Sequence, residues 1–275
     1  MRLRPKLPRK LKPDEKVSFI EHLEELRYRL IVCLVSVLAG TVVAYIFKEE
    51  IFRFISAPLL RALPPEDRHL IFTGLLEAFM VYLKASFFAG LMISVPVILY
   101  QLWAFISPGL YPPERRLALP FIFFASLFFL GGAVFGYYVV FPYGFQFFVG
   151  FGGDFIKPLP SMKEYLSFAT FLLLAFGIVF ELPIFIFFLA KLGIVHPRTL
   201  RKGRRYAIPI IFFVSAILTP GPDPVSQCLM AVPLCLLYEL GIWVAVLFGK
   251  PSTQKQEASG DEKENGTQPG QEPAG

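Results

Sequence analysis

The hydrophobic positions of this chain form long unbroken blocks, whereas a soluble core is built from spaced apolar stripes. Blocks of about 20 apolar residues are long enough to cross the hydrocarbon layer of a membrane, which is about 30 Å thick. The pattern therefore predicts an all-α membrane protein with six transmembrane helices. We place these spans near Leu30–Phe47, Leu75–Tyr100, Leu117–Phe141, Tyr165–Leu189, Tyr206–Leu218 and Val225–Phe248.

The fifth block, Tyr206–Leu218, is shorter than the others. A helix over this block would extend only about 20 Å, which is less than the thickness of the hydrocarbon layer. A re-entrant segment is the alternative, and it would move the C-terminal tail to the other side of the membrane. We favour six complete spans.

The distribution of basic residues predicts that both termini lie in the cytoplasm. Lys and Arg accumulate in the cytoplasmic segments of membrane proteins. With the N terminus inside, the cytoplasmic segments contain 20 Lys and Arg residues and the external segments contain 6. The cytoplasmic segments in this topology are 1–29, 101–116, 190–205 and 249–275.

Three regions follow from this arrangement. Residues 1–29 form a cytoplasmic segment with an amphipathic helix, and residues 30–248 form the membrane domain. Residues 249–275 are predicted to be a disordered tail, because they include no large apolar residue. Two external segments are expected to be structured, namely an amphipathic helix on the bilayer over 49–63 and a cap rich in Phe and Gly over 142–157.

The composition agrees with a membrane location. Hydrophobic residues make up 55% of the chain and charged residues 17%, against about 25% charged residues in soluble domains. The net charge of +6 does not indicate nucleic-acid binding, because the basic residues lie between apolar blocks and at the N terminus. We expect no cleavable signal peptide and predict the cytoplasmic (inner) membrane of a bacterium as the location.

No motif indicates an enzyme, a cofactor or a metal. The sequence contains no GxxxxGK[ST] phosphate-binding loop, no HExxH pattern and no GxSxG pattern. The three histidines lie in separate segments, which disfavours a metal site. We therefore expect a protein without catalytic activity, cofactor or metal.

Four charged residues lie within the predicted spans: Glu77, Lys84, Glu181 and Glu239. A charged group at the centre of a bilayer costs about 2.5–3.5 kcal/mol on insertion scales, so each should face a partner or water. Glu77 and Lys84 are seven residues apart on one helix face and could offset each other's charge. Glu181 lies near Pro183, where a kink exposes backbone carbonyls, and we expect a functional polar contact there.

An acidic cluster precedes the first span, in the segment Phe19–Leu30. Glu25 and Arg29 are four residues apart on a predicted helix, so a helix-surface ion pair is the simplest interpretation of Glu25. Glu24, its neighbour, is a second candidate carboxylate. The alternative interpretation is a binding site for a cationic partner.

A second carboxylate, Glu114, lies in the loop Phe105–Arg116, whose three prolines restrict the backbone. An exposed ion pair with Arg115 or Arg116, worth about 0–1 kcal/mol, would account for it. Two carboxylates on an otherwise basic cytoplasmic face nevertheless suit a partner with guanidinium groups, because these pair with carboxylates in a bidentate manner.

Four motifs follow one another along the chain: His22–Arg27, Phe105–Arg116, Phe180–Pro183 and Thr219–Gln227. In sequence and order they resemble the motifs of the TatC family, the multispanning receptor subunit of the twin-arginine protein translocase. The resemblance covers about Val17 to Phe248.

The resemblance implies a function that the composition does not indicate. Proteins of this family bind the paired arginines of signal peptides on folded cargo, act with single-span TatA-like and TatB-like partners, and use the proton motive force. It also implies a concave, glove-like bundle in which spans five and six are short. The implied signal-peptide site consists of Glu25, Arg27, Phe105, Pro108, Leu110, Tyr111 and Glu114.

Further residues match other positions of the family. Glu181 corresponds to an intramembrane glutamate that faces a concave pocket, and Pro58 and Asp223 correspond to residues of the first and last external loops. Thr219 and Gln227 lie where partner helices are expected to dock. Self-association within a larger complex is also expected.

Two other functions are alternatives to a translocase receptor. An ion-coupled transporter of small molecules would use Glu77, Lys84, Glu181 and Glu239 as a relay. Such transporters usually contain internal repeats, and the two halves of this chain show no convincing repeat. The other alternative is a scaffold for membrane subunits.

Overall fold

The computed structural model describes residues 19–109, 111, 115–150, 158–219 and 224–249, and these are almost entirely helical. The all-α fold class is therefore confirmed in the described residues. The predicted disordered tail after residue 249 lies outside them. The helices are α1 (Phe19–Ile46), α2 (Lys48–Ala62), α3 (Glu77–Ile106), α4 (Ala118–Phe135), α5 (Phe141–Gly150), α6 (Met162–Phe180), α7 (Leu182–Leu192), α8 (Pro197–Leu218) and α9 (Pro224–Phe248).

Five helical segments are long and apolar enough to cross a membrane, which makes the chain a multi-pass membrane protein. Helix α4, a π-turn and α5 form one continuous segment, and α6 and α7 form another. The segments are Ile20–Ile46, Glu77–Gly109, Ala118–Gly150, Met162–Leu192 and Gln227–Phe248. They overlap five of the six predicted spans.

The remaining predicted span lies in α8, and the observed helix is longer than the apolar block. Helix α8 begins at Pro197, nine residues before Tyr206, and runs to Leu218 without a break at Pro209. Its 22 residues extend about 33 Å, because an α-helix rises 1.5 Å per residue. The first half is basic and only the second half is apolar. Six spans therefore remain a prediction.

The helices pack in pairs around α6. Helix α1 lies along α3, α4 lies along α6, and α9 packs against both α7 and α8. Helix α6 also contacts α3, and its residues Leu166, Ala169 and Phe176 are fully buried in the main hydrophobic cluster. Large apolar side chains on the outer faces are exposed, as expected for surfaces in contact with lipid.

Two helix pairs approach each other at glycines. A Cβ atom at Gly90 of α3 would lie 2.4 Å from the backbone nitrogen of Thr41 in α1. A Cβ atom at Gly132 of α4 would lie 2.5 Å from the carbonyl oxygen of Phe176 in α6. These positions accept no side chain, so the GxxxG pattern that begins at Gly132 marks a helix contact.

Helix α2 confirms the predicted amphipathic helix and packs one face against the bundle. Pro58 lies inside this helix and has no N–H group, so the carbonyl of Phe54 loses its usual helical donor. The hydroxyl of Tyr137 donates to that carbonyl at 2.6 Å, and the hydroxyl of Tyr165 donates to the carbonyl of Ile55 at 2.6 Å. Two tyrosines of the core therefore hold α2 at its proline.

The structure differs from prediction in the segment 142–157. A separate cap was expected, but residues 142–150 belong to α5, which continues the third span. Of the aromatic residues in this segment, Phe145 is buried, whereas Tyr143 is exposed. Residues 151–157 lie outside the described part of the chain.

Candidate functional site

Glu25 lies at the start of α1 and is held by Arg29, one helical turn later. The Nε atom of Arg29 donates to Oε1 of Glu25 at 3.0 Å, and Nη2 of Arg29 donates to the same oxygen. The predicted helix-surface ion pair is therefore present. It is not fully exposed, since the side chains of Glu25 and Arg29 retain 29% and 19% of their accessible surface.

The same guanidinium connects α1 to α3. The Nη1 atom of Arg29 donates to Oε1 of Gln101 at 3.1 Å. Arg29 therefore bridges the carboxylate of Glu25 and the amide of Gln101 across the helix pair. A partly buried guanidinium with three charge-assisted or polar contacts is more firmly positioned than one on an open helix surface.

An aromatic stack brings the first two motifs together. The rings of His22 and Phe105 are nearly parallel, with centroids 4.3 Å apart and an interplanar angle of 8°. The Nδ1 atom of His22 lies 3.7 Å from Oε2 of Glu25, which is longer than a hydrogen bond. Glu25 therefore lies at the junction of the α1 start and the α3 end.

The loop after α3 is closed by an arginine. A 3-10 turn, Ser107–Gly109, follows the helix, and Nη2 of Arg115 donates to the carbonyl of Pro108 at 3.0 Å. The side chain of Tyr111 is exposed, and its carbonyl accepts from the backbone N–H of Arg115 at 3.2 Å. Leu110 and Glu114 lie outside the described residues, so their predicted roles remain predictions.

The helix geometry distinguishes the acidic residues of the first motif. Glu25 faces α3 through His22 and Arg29, whereas Glu24 and Arg27 are exposed on other faces of α1. Residues next to each other on an α-helix point about 100° apart, because the helix has 3.6 residues per turn. Only Glu25 therefore joins the described cluster with Phe105.

Glu181 is buried at a break in the fourth span. It forms the turn between α6 and α7, and Pro183 lies in the first turn of α7, so the predicted kink is present. Its residue surface is 4% exposed, and neither carboxylate oxygen has a hydrogen-bond partner among the described residues. A buried polar group without a partner is destabilising by about 1–3 kcal/mol.

The other charged residues of the spans have separate structural partners. Glu77 is the first residue of α3, where its carboxylate accepts bonds from Thr73, Gly74, Ser161 and Lys163 and joins the starts of α3 and α6.

Lys84 lies near Ser167, with Nζ to Oγ at 3.4 Å, and does not pair with Glu77 among the described contacts. Glu239 accepts from Arg204 of α8 at 2.6 Å, where both side chains are partly exposed. In the described residues, Glu77, Lys84, Glu181 and Glu239 form no connected relay.

The predicted docking residues lie at the contact of α8 and α9. The hydroxyl of Thr219 donates to the carbonyl of Ser215 at 3.1 Å and ends α8. The Nε2 atom of Gln227 donates to the carbonyl of Phe212 at 3.0 Å and ties α9 to α8. Pro58 lies in α2, and Asp223 lies outside the described residues.

Sequence reasoning missed the contacts that connect the motifs. The bond from Arg29 to Gln101 and the stack of His22 on Phe105 each join residues more than 70 positions apart. The available signal was the presence of polar residues, His22 and Gln101, at the same predicted end of the first two spans. Spacing within one helix could not reveal a contact between two helices.

Comparison with known proteins places these features in a family. The model of the family described as Sec-independent protein translocase protein (TatC) matches residues 21–233. A protein of that name from Desulforapulum autotrophicum is 49% identical over 248 residues, which cover 90% of this chain and 91% of the relative. A protein of the same name from Magnetococcus marinus is 44% identical, with 88% of both chains covered.

A solved structure agrees with the fold. The chain is similar to a crystal structure of the twin arginine translocase receptor TatC, with 40% sequence identity and a TM-score of 0.72. The similarity covers 83% of this chain and 99% of that one. The helical arrangement and the ordered motifs thus both agree with these proteins, and this chain belongs to the TatC family of Sec-independent protein translocase proteins.

Proposed function

We propose that this chain is the receptor subunit of a twin-arginine translocase. It binds the twin-arginine signal peptides of folded proteins that are exported across the membrane with the proton motive force. Membership in a translocase family makes the chain a transport component rather than an enzyme. The similar crystal structure of a receptor of that name supports the finer assignment.

The geometry around Glu25 carries this proposal. The carboxylate already holds a guanidinium, that of Arg29, in a partly buried position beside Phe105 of the second motif. An arginine of a signal peptide would likewise donate charge-assisted hydrogen bonds to this carboxylate. It would approach Oε2, which faces His22, or displace Arg29 from Oε1. Glu114, in the adjoining loop, is the second carboxylate of the proposed site.

The remaining sites are assigned to the partners and the membrane. TatA-like and TatB-like single-span proteins dock near Thr219 and Gln227, at the contact of α8 and α9. Glu181 meets a polar group of a partner or peptide, which supplies the hydrogen bond that its carboxylate lacks among the described residues. The chain resides in a bacterial inner membrane with both termini in the cytoplasm, so Glu25 faces the cytoplasm.

Crosslinking of a twin-arginine peptide to the full chain tests the proposal. The peptide includes a photoreactive residue directly beside its arginine pair. The attachment site on the chain is mapped by proteolytic digestion of the labelled protein. We expect labelling of residues 21–29 and of the loop 105–116. A peptide with two lysines serves as the control and should label both segments weakly, because an ammonium group cannot form the bidentate contact.

Two results would contradict the proposal. One is labelling that maps mainly to α8 or α9, which would place the arginine pair away from Glu25 and from the loop after α3. The other is equal labelling by the arginine and lysine peptides, which would indicate general attraction of cations.

A further inference from the structure

A cavity lies at the end of the bundle opposite Glu25. It has a volume of about 210 Å³ and is bounded by α2, the π-turn and α5. Helix α2 follows directly on the end of the first span at Ile46. Because α2 is amphipathic and begins where a span ends, the cavity lies at the depth of the lipid headgroups.

The lining of the cavity combines one cation with neutral hydrogen-bond donors. Arg61 of α2 supplies a guanidinium, Tyr138 supplies a hydroxyl and Gln146 supplies an amide. None of the described lining residues is acidic. Among the described residues, Arg61 forms no ion pair. This set of groups fits an anion with several acceptor oxygens.

The walls of the cavity are formed by two backbone irregularities. Pro58 interrupts the hydrogen bonding of α2, and Pro142 has no N–H to donate to the carbonyl of Tyr138. The helix widens there into the π-turn Gly136–Val140, and the N–H of Phe141 bonds to the carbonyl of Gly136, five residues earlier. Such π-turns occur frequently at functional sites.

We infer that this cavity binds the phosphate of a membrane phospholipid headgroup. The guanidinium of Arg61 pairs with the phosphate oxygens, and Tyr138 and Gln146 donate to them. The acyl chains lie along the exposed apolar surface beside α2. Arginine prefers phosphate as a bidentate partner, and its stem can extend along apolar surface while its head remains at the headgroups.

Native mass spectrometry of the full chain tests this site. The protein is purified in detergent and titrated with phosphatidylglycerol, and the bound lipid is counted. We expect the wild-type chain to retain phosphatidylglycerol. The variant Arg61→Gln should bind this lipid at least about tenfold more weakly, because a charge-assisted hydrogen bond is lost. The variant Tyr138→Phe should show a smaller decrease.

A matched arginine of the same helix provides the control. Arg53 also lies in α2 and is exposed, but it does not line the cavity. Arg53→Gln should therefore bind phosphatidylglycerol like the wild type. Equal losses in both variants would indicate general attraction of charge and would overturn the site, as would unchanged binding in Arg61→Gln.

Two further ligands distinguish the source of the phosphate. Diacylglycerol with the same chains lacks the phosphate and should not be retained. Equal retention of diacylglycerol would show that the acyl chains alone bind, which contradicts the inference. Binding of millimolar inorganic phosphate at the site without retention of phosphatidylglycerol would assign it to a free anion and overturn the lipid assignment.

Discussion

At the scale of single residues, the structure depends on hydrogen bonds to polar atoms that are shielded from water. Glu25, Arg29 and Gln101 satisfy one another across α1 and α3, and Glu77 joins two helix starts through its two oxygens. Glu181 is the exception among the described acids of the spans, because its carboxylate is buried without a partner.

The bond from Tyr137 to α2 leads to a prediction on stability. Tyr137→Phe should destabilise the chain by about 1–3 kcal/mol, because the carbonyl of Phe54 would be left without a donor. The measurement is thermal unfolding in detergent, with the exposed Tyr143→Phe as the control.

The same substitution in a Pro58→Ala chain tests whether the Tyr137 hydroxyl compensates for the proline. Pro58→Ala restores a backbone N–H that can reach the carbonyl of Phe54 from within α2. Tyr137→Phe should therefore lower the stability less in the Pro58→Ala background than in the wild-type chain. Equal costs in both backgrounds would show that the hydroxyl does not compensate for the proline.

At the scale of the elements, the sequence predicted where helices lie but not how they pair. Blocks of apolar residues located five spans and the amphipathic helix α2, although three of the spans extend nine or ten residues beyond the predicted block at one end. The spans are apolar on nearly every face, so no stripe of polar residues reveals which face packs and which meets lipid. The start of α8 was missed because its basic residues continue the helix beyond the apolar block.

Two adjacent glycines test the pairing of α4 with α6. Gly132→Ala should destabilise the fold by about 1–3 kcal/mol, since its Cβ would lie 2.5 Å from the carbonyl of Phe176. Gly131→Ala is the matched control, because a Cβ there meets no atom within 4 Å. It should be neutral or slightly stabilising, since alanine favours a helix over glycine.

Thermal unfolding of both glycine variants in the same detergent gives the comparison. A large loss in Gly132→Ala alone supports the observed crossing of α4 and α6. Similar effects at both positions would indicate that helix propensity, rather than contact, determines the outcome.

At the scale of the whole molecule, the function depends on which end of the bundle faces the cytoplasm. The candidate site lies where α1 begins and α3 ends, and both its acids occur in segments counted as cytoplasmic. The motifs and their order could be predicted from the sequence. Their contact could not, because the stack of His22 on Phe105 depends on the lateral packing of α1 against α3.

Reporter fusions test the predicted topology of the whole chain. A reporter fused after Gly249 should read as cytoplasmic, and one fused at Gly221 should read as external, because α8 then crosses the membrane completely. A cytoplasmic reading at Gly221 would contradict six spans and would make α8 a surface or re-entrant helix.

The most direct test of the receptor assignment is the affinity of a twin-arginine peptide for two acidic variants. Fluorescence anisotropy is measured with the full chain in detergent. Glu25→Gln should bind at least about tenfold more weakly, the loss expected for a charge-assisted hydrogen bond, whereas Glu24→Gln should bind like the wild type. Unchanged binding by Glu25→Gln, or an equal loss in Glu24→Gln, would contradict the account.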